Sequence, residues 1–111
     1  MAFALIWSPA ARADLEEIEA YIASRSPVDA RRVVEKILEA SRKQCDFPFS
    51  ARIIPEFQDA NRCETFVHQW RLMYRVEVDH IAIIRVVHGR RLLKNVPGSF
   101  EEPAQESYSA A

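Results

Sequence analysis

Seven basic side chains able to bind a phosphate or move a proton fall in one stretch, Trp70 to Arg91: Arg71, Arg75, His80, Arg85, His88, Arg90 and Arg91. A guanidinium is costly to bury unless paired, so arginines set into strands imply a working face rather than a core. Arg71 and Arg85, on adjacent expected strands, have the chemistry to hold a phosphate. His88 has the imidazole chemistry to carry a proton. The stretch closes on Gly89-Arg90-Arg91, a flexible joint whose two forked guanidiniums suit an acidic protein surface. Each residue also has a purely structural reading. Arg75 can pair with Glu64 or Glu77, Arg85 can tie a tail or helix to the sheet, and His88 can be a hydrogen-bonded structural histidine. Nothing nearby in the sequence asks for Arg90 and Arg91, so they are the preferred functional candidates.

The elements that must position these groups can be read from hydrophobic period and punctuation. Ala2 to Trp7 is a short apolar run ending at Ser8-Pro9, which predicts a buried strand followed by an N-cap and a proline at the first helical position. Ala11, Leu15, Ile18 and Ile22 then make one apolar stripe, and Arg12, Asp14, Glu16, Glu17 and Glu19 are expected to face water. Ser26-Pro27 repeats the punctuation, with Asp29 three residues on in the manner of a capping box. A second stripe follows through Ala30, Val33, Val34, Ile37, Leu38, Ser41 and Cys45. A connection this short predicts an antiparallel helical hairpin.

Pro48 to Asn61 has no sustained period and reads as a connective crossing, with a short strand near Ile53. Strands are expected at Glu64–His68, Trp70–Glu77 and His80–His88. Alternation places Trp70, Leu72, Tyr74 and Val76 on a packed face and Arg71, Met73, Arg75 and Glu77 on a presented one. In the last strand it sets Ile81, Ile83, Arg85 and Val87 against Ala82, Ile84, Val86 and His88. The fold class is therefore α+β: a small curved, mostly antiparallel sheet in the order β-α-α-β-β-β, with the N-terminal helical hairpin packed on it.

At 111 residues, 49% hydrophobic and 28% charged, the chain has the size and make-up of one globular domain. We divide it into a domain at 1–97 and an acidic tail at 98–111, flexible or docked. The tail carries Glu101, Glu102 and Glu106 and no basic group, so the net charge of −1 hides a body at +2. That body should attract an acidic partner. Cys45 and Cys63 lack a CxxC pattern and read as reduced thiols. His68, His80 and His88 lack metal-ligand spacing, so no metal and no cofactor is expected. No run is long enough to span a bilayer and no signal peptide is evident, which makes the cytoplasm the expected location.

Three segments carry a family resemblance. Trp-Ser-Pro-Ala-Ala-Arg-Ala-Asp-Leu-Glu-Glu-Ile at 7–18, Arg71-Leu-Met-Tyr74-Arg75-Val, and Ile83-Ile-Arg85-Val-Val-His88-Gly-Arg90-Arg91 together resemble the RelE/ParE superfamily of bacterial type II toxin–antitoxin toxins. The likeness is greatest to the ParE branch, also called plasmid-stabilisation proteins. It implies a toxin that arrests growth, acts on DNA gyrase, does not bind DNA by itself and is neutralised by a cognate antitoxin, ParD-like or another small protein.

The RelE branch instead cuts messenger RNA on the ribosome, and here Arg71, Arg85 and His88 would have to do that work. No tyrosine closes the last strand, no lysine pair precedes the meander, and only Glu56 or Glu64 remains to supply a base. An inactive relic of the fold is a third reading. On the gyrase reading no residue is catalytic, and His88, Arg90, Arg91 and Arg85 form the target-binding set. Trp7, Tyr21, Trp70 and Tyr74, with Arg71 and Arg75, are the residues expected to meet the antitoxin, although the aromatic ones equally suit a core.

Overall fold

The computed structural model describes residues 3–89 and a two-residue strand at 109–110. The chain begins with strand β1 (Ala4–Trp7), which runs directly into helix α1 (Pro9–Ala23). The hydroxyl of Ser8 accepts from the Ala11 N–H, satisfying one of the donors that a helix start leaves orphaned, and Pro9 occupies the position where a missing N–H costs nothing. Helix α2 (Pro27–Gln44) opens the same way, the Ser26 hydroxyl accepting from the Asp29 N–H. The two helices form the expected antiparallel hairpin.

After α2 come β2 (Arg52–Ile53), β3 (Arg62–Val67), β4 (Trp70–Val76) and β5 (His80–His88), and β6 (Ser109–Ala110) closes the described chain. The sheet order is β2-β3-β4-β5-β1-β6. All neighbours are antiparallel except β1 and β5, whose parallel pairing requires the α1–α2 crossover. The α+β architecture is thus the expected one, with β2 as the strand near Ile53. Of the expected acidic tail, residues 98–108 and 111 lie outside the described residues.

The hairpin packs on one face of the sheet. There Trp7, Ile18, Ile37, Leu72, Tyr74, Ile81, Ile83 and Val86 form the main core. Burying each large apolar side chain stabilises by roughly 1.5–3 kcal/mol, so this face holds the fold. No helix among the described residues is long and apolar enough to cross a membrane.

Two features depart from simple alternation. Tyr74 pairs with Ile83 but Met73 pairs with Arg85, so Ile84 is an extra residue and β5 carries a bulge. A bulge shifts which side chains face the core. Ile81 and Ile83 lie in the main core, and beyond the bulge it is Val86 that returns to it. The bulge sits where β1 ends, and the Ser8 hydroxyl that caps α1 also donates to the Ile84 carbonyl at 2.9 Å.

The second departure concerns the other face, which the pattern marked as presented. Met73, Val87 and Ile54 form a second buried cluster there, with Phe57 packed against it. Residues 48–61 are therefore a strap that seals this face, rather than a mere connection.

Candidate functional site

Arg85 and Arg71 are both inside the molecule, which corrects the expectation of a working face built from strand arginines. Arg85 is 6% exposed. Its Nε and Nη2 donate to the Asp14 carboxylate at 2.7 and 2.8 Å, and the Val86 N–H donates to the same carboxylate at 2.9 Å. Beyond Ile83 there is no β1 residue to pair with, so Asp14 of α1 supplies the acceptor that a neighbouring strand would have offered. The hydrogen bonds that Arg85 donates to Asp14, with Glu17 acting through space, hold the Arg85 pKa above its ordinary value.

Asp14 was expected in solvent and is buried. It stands three residues after Ala11 and four before Ile18, which puts it on the buried stripe, so its position was in the sequence even though its type argued otherwise. Of the readings open for Arg85, the tie between helix and sheet is the one the geometry matches.

Arg71 is held on the strap side. Its Nε donates to Glu64 at 2.7 Å, and Nη1 and Nη2 donate to the two oxygens of Glu56 at 3.1 and 2.9 Å. Arg52 pairs with the far oxygen of Glu64, whose side chain is wholly buried. Two guanidiniums and two carboxylates thereby neutralise each other and fasten the strap to the sheet. Burial opposes the Arg71 charge, yet the two carboxylates outweigh it and its pKa is raised. The hydrogen bond from Arg71 in turn holds Glu56 below the usual carboxylate range. Arg75, half-buried, pairs with Glu77, one of the two partners its structural reading named.

The aromatic residues expected at a docking surface divide. Trp7 and Tyr74 are core residues, and the Tyr74 hydroxyl donates to Pro48 O at 2.7 Å and lies 2.9 Å from Gln44 Oε1. Burial pushes the Tyr74 phenol up, and likewise the free thiols of Cys45 and Cys63. As placed, Trp7, Tyr74 and Arg71 offer no surface to a partner. Tyr21 and Trp70 do: Tyr21 is exposed, and the half-buried Trp70 meets the His88 ring edge-to-face at 5.4 Å.

Tyr21, Trp70 and His88 border a groove of about 440 Å³ between α1 and the far end of β5. Asp14, Glu17 and Ile18 form its helix wall, and Arg85, Val86 and Val87 part of its floor. Glu17 and Gln69 were not singled out from the sequence, because an exposed acid on a helix and a turn glutamine carry no signal there.

Gly89 follows directly, and it is a site of close packing rather than a free joint. A Cβ at this position would lie 2.8 Å from Phe66 Cε2 and 3.2 Å from the Gln69 carbonyl oxygen. Arg90 and Arg91, the preferred target-binding pair, lie outside the described residues. Of the three residues named for a ribonuclease, Arg71 and Arg85 each face an internal carboxylate, and the His88 ring meets Trp70 edge-to-face.

Comparison with known proteins accords with this geometry. The family model described as the ParE toxin of the type II toxin–antitoxin system parDE matches residues 5–93. The fold is similar to a structure described as the chromosomal ParDE system of P. aeruginosa, at TM-score 0.65 and 21% identity, covering 78% of this chain and 96% of that one. It is also similar to the RelBE2 toxin–antitoxin complex of Mycobacterium tuberculosis, at TM-score 0.54 and 20% identity, covering 79% and 99% respectively. At such identities the structural likeness speaks for the fold. No curated protein matches the sequence significantly.

Proposed function

Since this chain belongs to the ParE toxin family of type II toxin–antitoxin systems, we propose that it arrests growth by inhibiting DNA gyrase and is silenced by direct binding of a cognate antitoxin. The observation that carries the gyrase reading over messenger RNA cleavage is the internal saturation of Arg71 and Arg85. Cleaving RNA by its own 2′-hydroxyl needs cations aimed at the phosphorane-like charge, plus an acid and a base within reach of the reacting oxygens. Here Glu56 and Glu64 neutralise Arg71, and Asp14 neutralises Arg85. Freeing Arg85 for a phosphate would strand the buried Asp14 carboxylate, at a cost of about 3–5 kcal/mol, and freeing Arg71 would break the bonds that fasten the strap, leaving Glu64 to Arg52 alone.

On this reading the fold presents a recognition surface, and Arg90 and Arg91 just past β5 supply its charge toward an acidic patch of the target. Such a surface needs no reacting geometry, only complementary charge and shape. The antitoxin reading is supported by the groove of about 440 Å³ bordered by Tyr21 and Trp70, a concave surface of the kind that receives a segment of a second protein. Location in the cytoplasm, where gyrase works, is part of the same proposal.

The test is made in cells. Induced expression is expected to halt growth and relax a reporter plasmid while protein synthesis initially continues, with co-expression of the adjoining small gene restoring both. An immediate stop in synthesis with fully supercoiled plasmid would favour the ribonuclease reading, and unimpaired growth would favour a relic.

A further inference from the structure

The groove between α1 and β5 has a charge the sequence did not foretell. The molecule's body is basic overall, which led to the expectation of an acidic partner. In the groove the balance is reversed. Asp14 and Arg85 cancel each other in a buried pair, and Glu17 remains as an exposed carboxylate on the same wall, in no ion pair with any described residue. Around it, Trp70 offers an aromatic ring to a cation, the exposed Tyr21 offers apolar area beside the Arg25 guanidinium that already approaches its ring at 5.7 Å, and the edge of Ile18 lines the same groove. The volume lies within the range of roughly 300–1,000 Å³ typical of sites that enclose a ligand.

We propose that this groove receives a segment of the antitoxin that sets one arginine or lysine against Glu17, with apolar side chains on either side packing over Ile18, Tyr21 and Trp70. The inference rests on the antitoxin reading above and adds to it the residue that selects the partner. Charge complementarity decides among occupants. An acidic segment would bring like charge to Glu17, and a purely apolar one would leave the carboxylate desolvated without a counter-ion. Glu17 is thus a specificity-determining residue: it is exposed, makes no hydrogen bond or ion pair with a described residue and reaches Arg85 only through space, so its replacement should leave the toxin folded.

The experiment measures binding of the purified protein encoded by the adjoining gene to four versions of this chain: wild type, Glu17→Gln, Glu17→Lys and Glu19→Lys. Glu19 is exposed on α1 but does not line the groove, so it controls for the change in net charge. Glu17→Gln is expected to weaken binding about tenfold and Glu17→Lys about a hundredfold, with Glu19→Lys near wild type and melting temperatures unchanged. Replacing the partner's contacting base by glutamate should restore binding to Glu17→Lys.

Equal affinity of Glu17→Lys and Glu19→Lys would overturn the inference and leave the antitoxin reading intact. So would a toxin that dimerises alone and loses its dimer in Glu17→Lys, which would assign the groove to a second copy. No binding of the wild type at all would remove both readings together.

Discussion

Asp14 and Arg85 join α1 to β5 across 71 positions of sequence, and the same carboxylate receives the Val86 N–H where β1 has run out. The pair is therefore both a buried ion pair and a repair to the edge of the sheet. The two roles make different demands on mutation.

Arg85→Met should destabilise by about 3–5 kcal/mol, because Asp14 is left as a buried charge without its counter-ion. Pairing it with Asp14→Leu removes that charge and should recover most of the loss. A residual cost of about 1–3 kcal/mol is expected, since the Val86 N–H then has no acceptor. Urea denaturation of the two variants checks the order: a double variant as unstable as Arg85→Met would contradict the account.

The strap predicts a pH dependence. Arg71 holds the Glu56 carboxyl below its ordinary value, so ionised Glu56 favours the folded state. This contribution is complete above the unfolded pKa near 4.5 and is lost as pH falls through the lower folded value. Glu56→Gln should accordingly be less stable than wild type at pH 7, by at most about 1 kcal/mol given its partial exposure, and the gap should close on acidification. Melting curves between pH 7 and about pH 3 test the sign.

Gly89 is explained by the Phe66 ring and the Gln69 carbonyl lying where a Cβ would go. Gly89→Ala should cost about 1 kcal/mol, because the half-exposed Phe66 ring can turn aside while the Gln69 carbonyl must give slightly. In a Phe66→Ala background the same substitution should cost clearly less, because the nearest obstruction has gone. A double-mutant cycle with no coupling would refute this explanation.

Arg90→Ala with Arg91→Ala should abolish gyrase inhibition while shifting stability by less than about 0.5 kcal/mol, if their role is recognition and not folding. Thermal melts beside the supercoiling assay read both quantities. A large loss of stability would make these residues structural.

Much of the fold was legible because its signals are local. Ser8-Pro9 and Ser26-Pro27 mark helix starts, the stripes through Ile18 and Ile37 mark helix faces, and His80–His88 is apolar enough to declare a central strand. The site was less legible because its determinants are not local. Whether Arg71 and Arg85 face solvent depends on Glu56, Glu64 and Asp14, which only the folded chain brings to them. Alternation failed on β5 because the bulge at Ile84 answers to where β1 ends, a fact of pairing and not of period. The strap was read as a connection for the same reason: Ile54 and Phe57 have no pattern of their own and acquire a role only against Met73 and Val87.

The most direct test of the central claim adds the purified chain to a gyrase supercoiling reaction and, in parallel, to a translating ribosome with a defined message. The account predicts that supercoiling stops at toxin concentrations near those of gyrase while the message stays intact. Full supercoiling together with codon-placed cuts in the message would contradict it, and would mean that Arg71 and Arg85 leave their carboxylates to meet a phosphate.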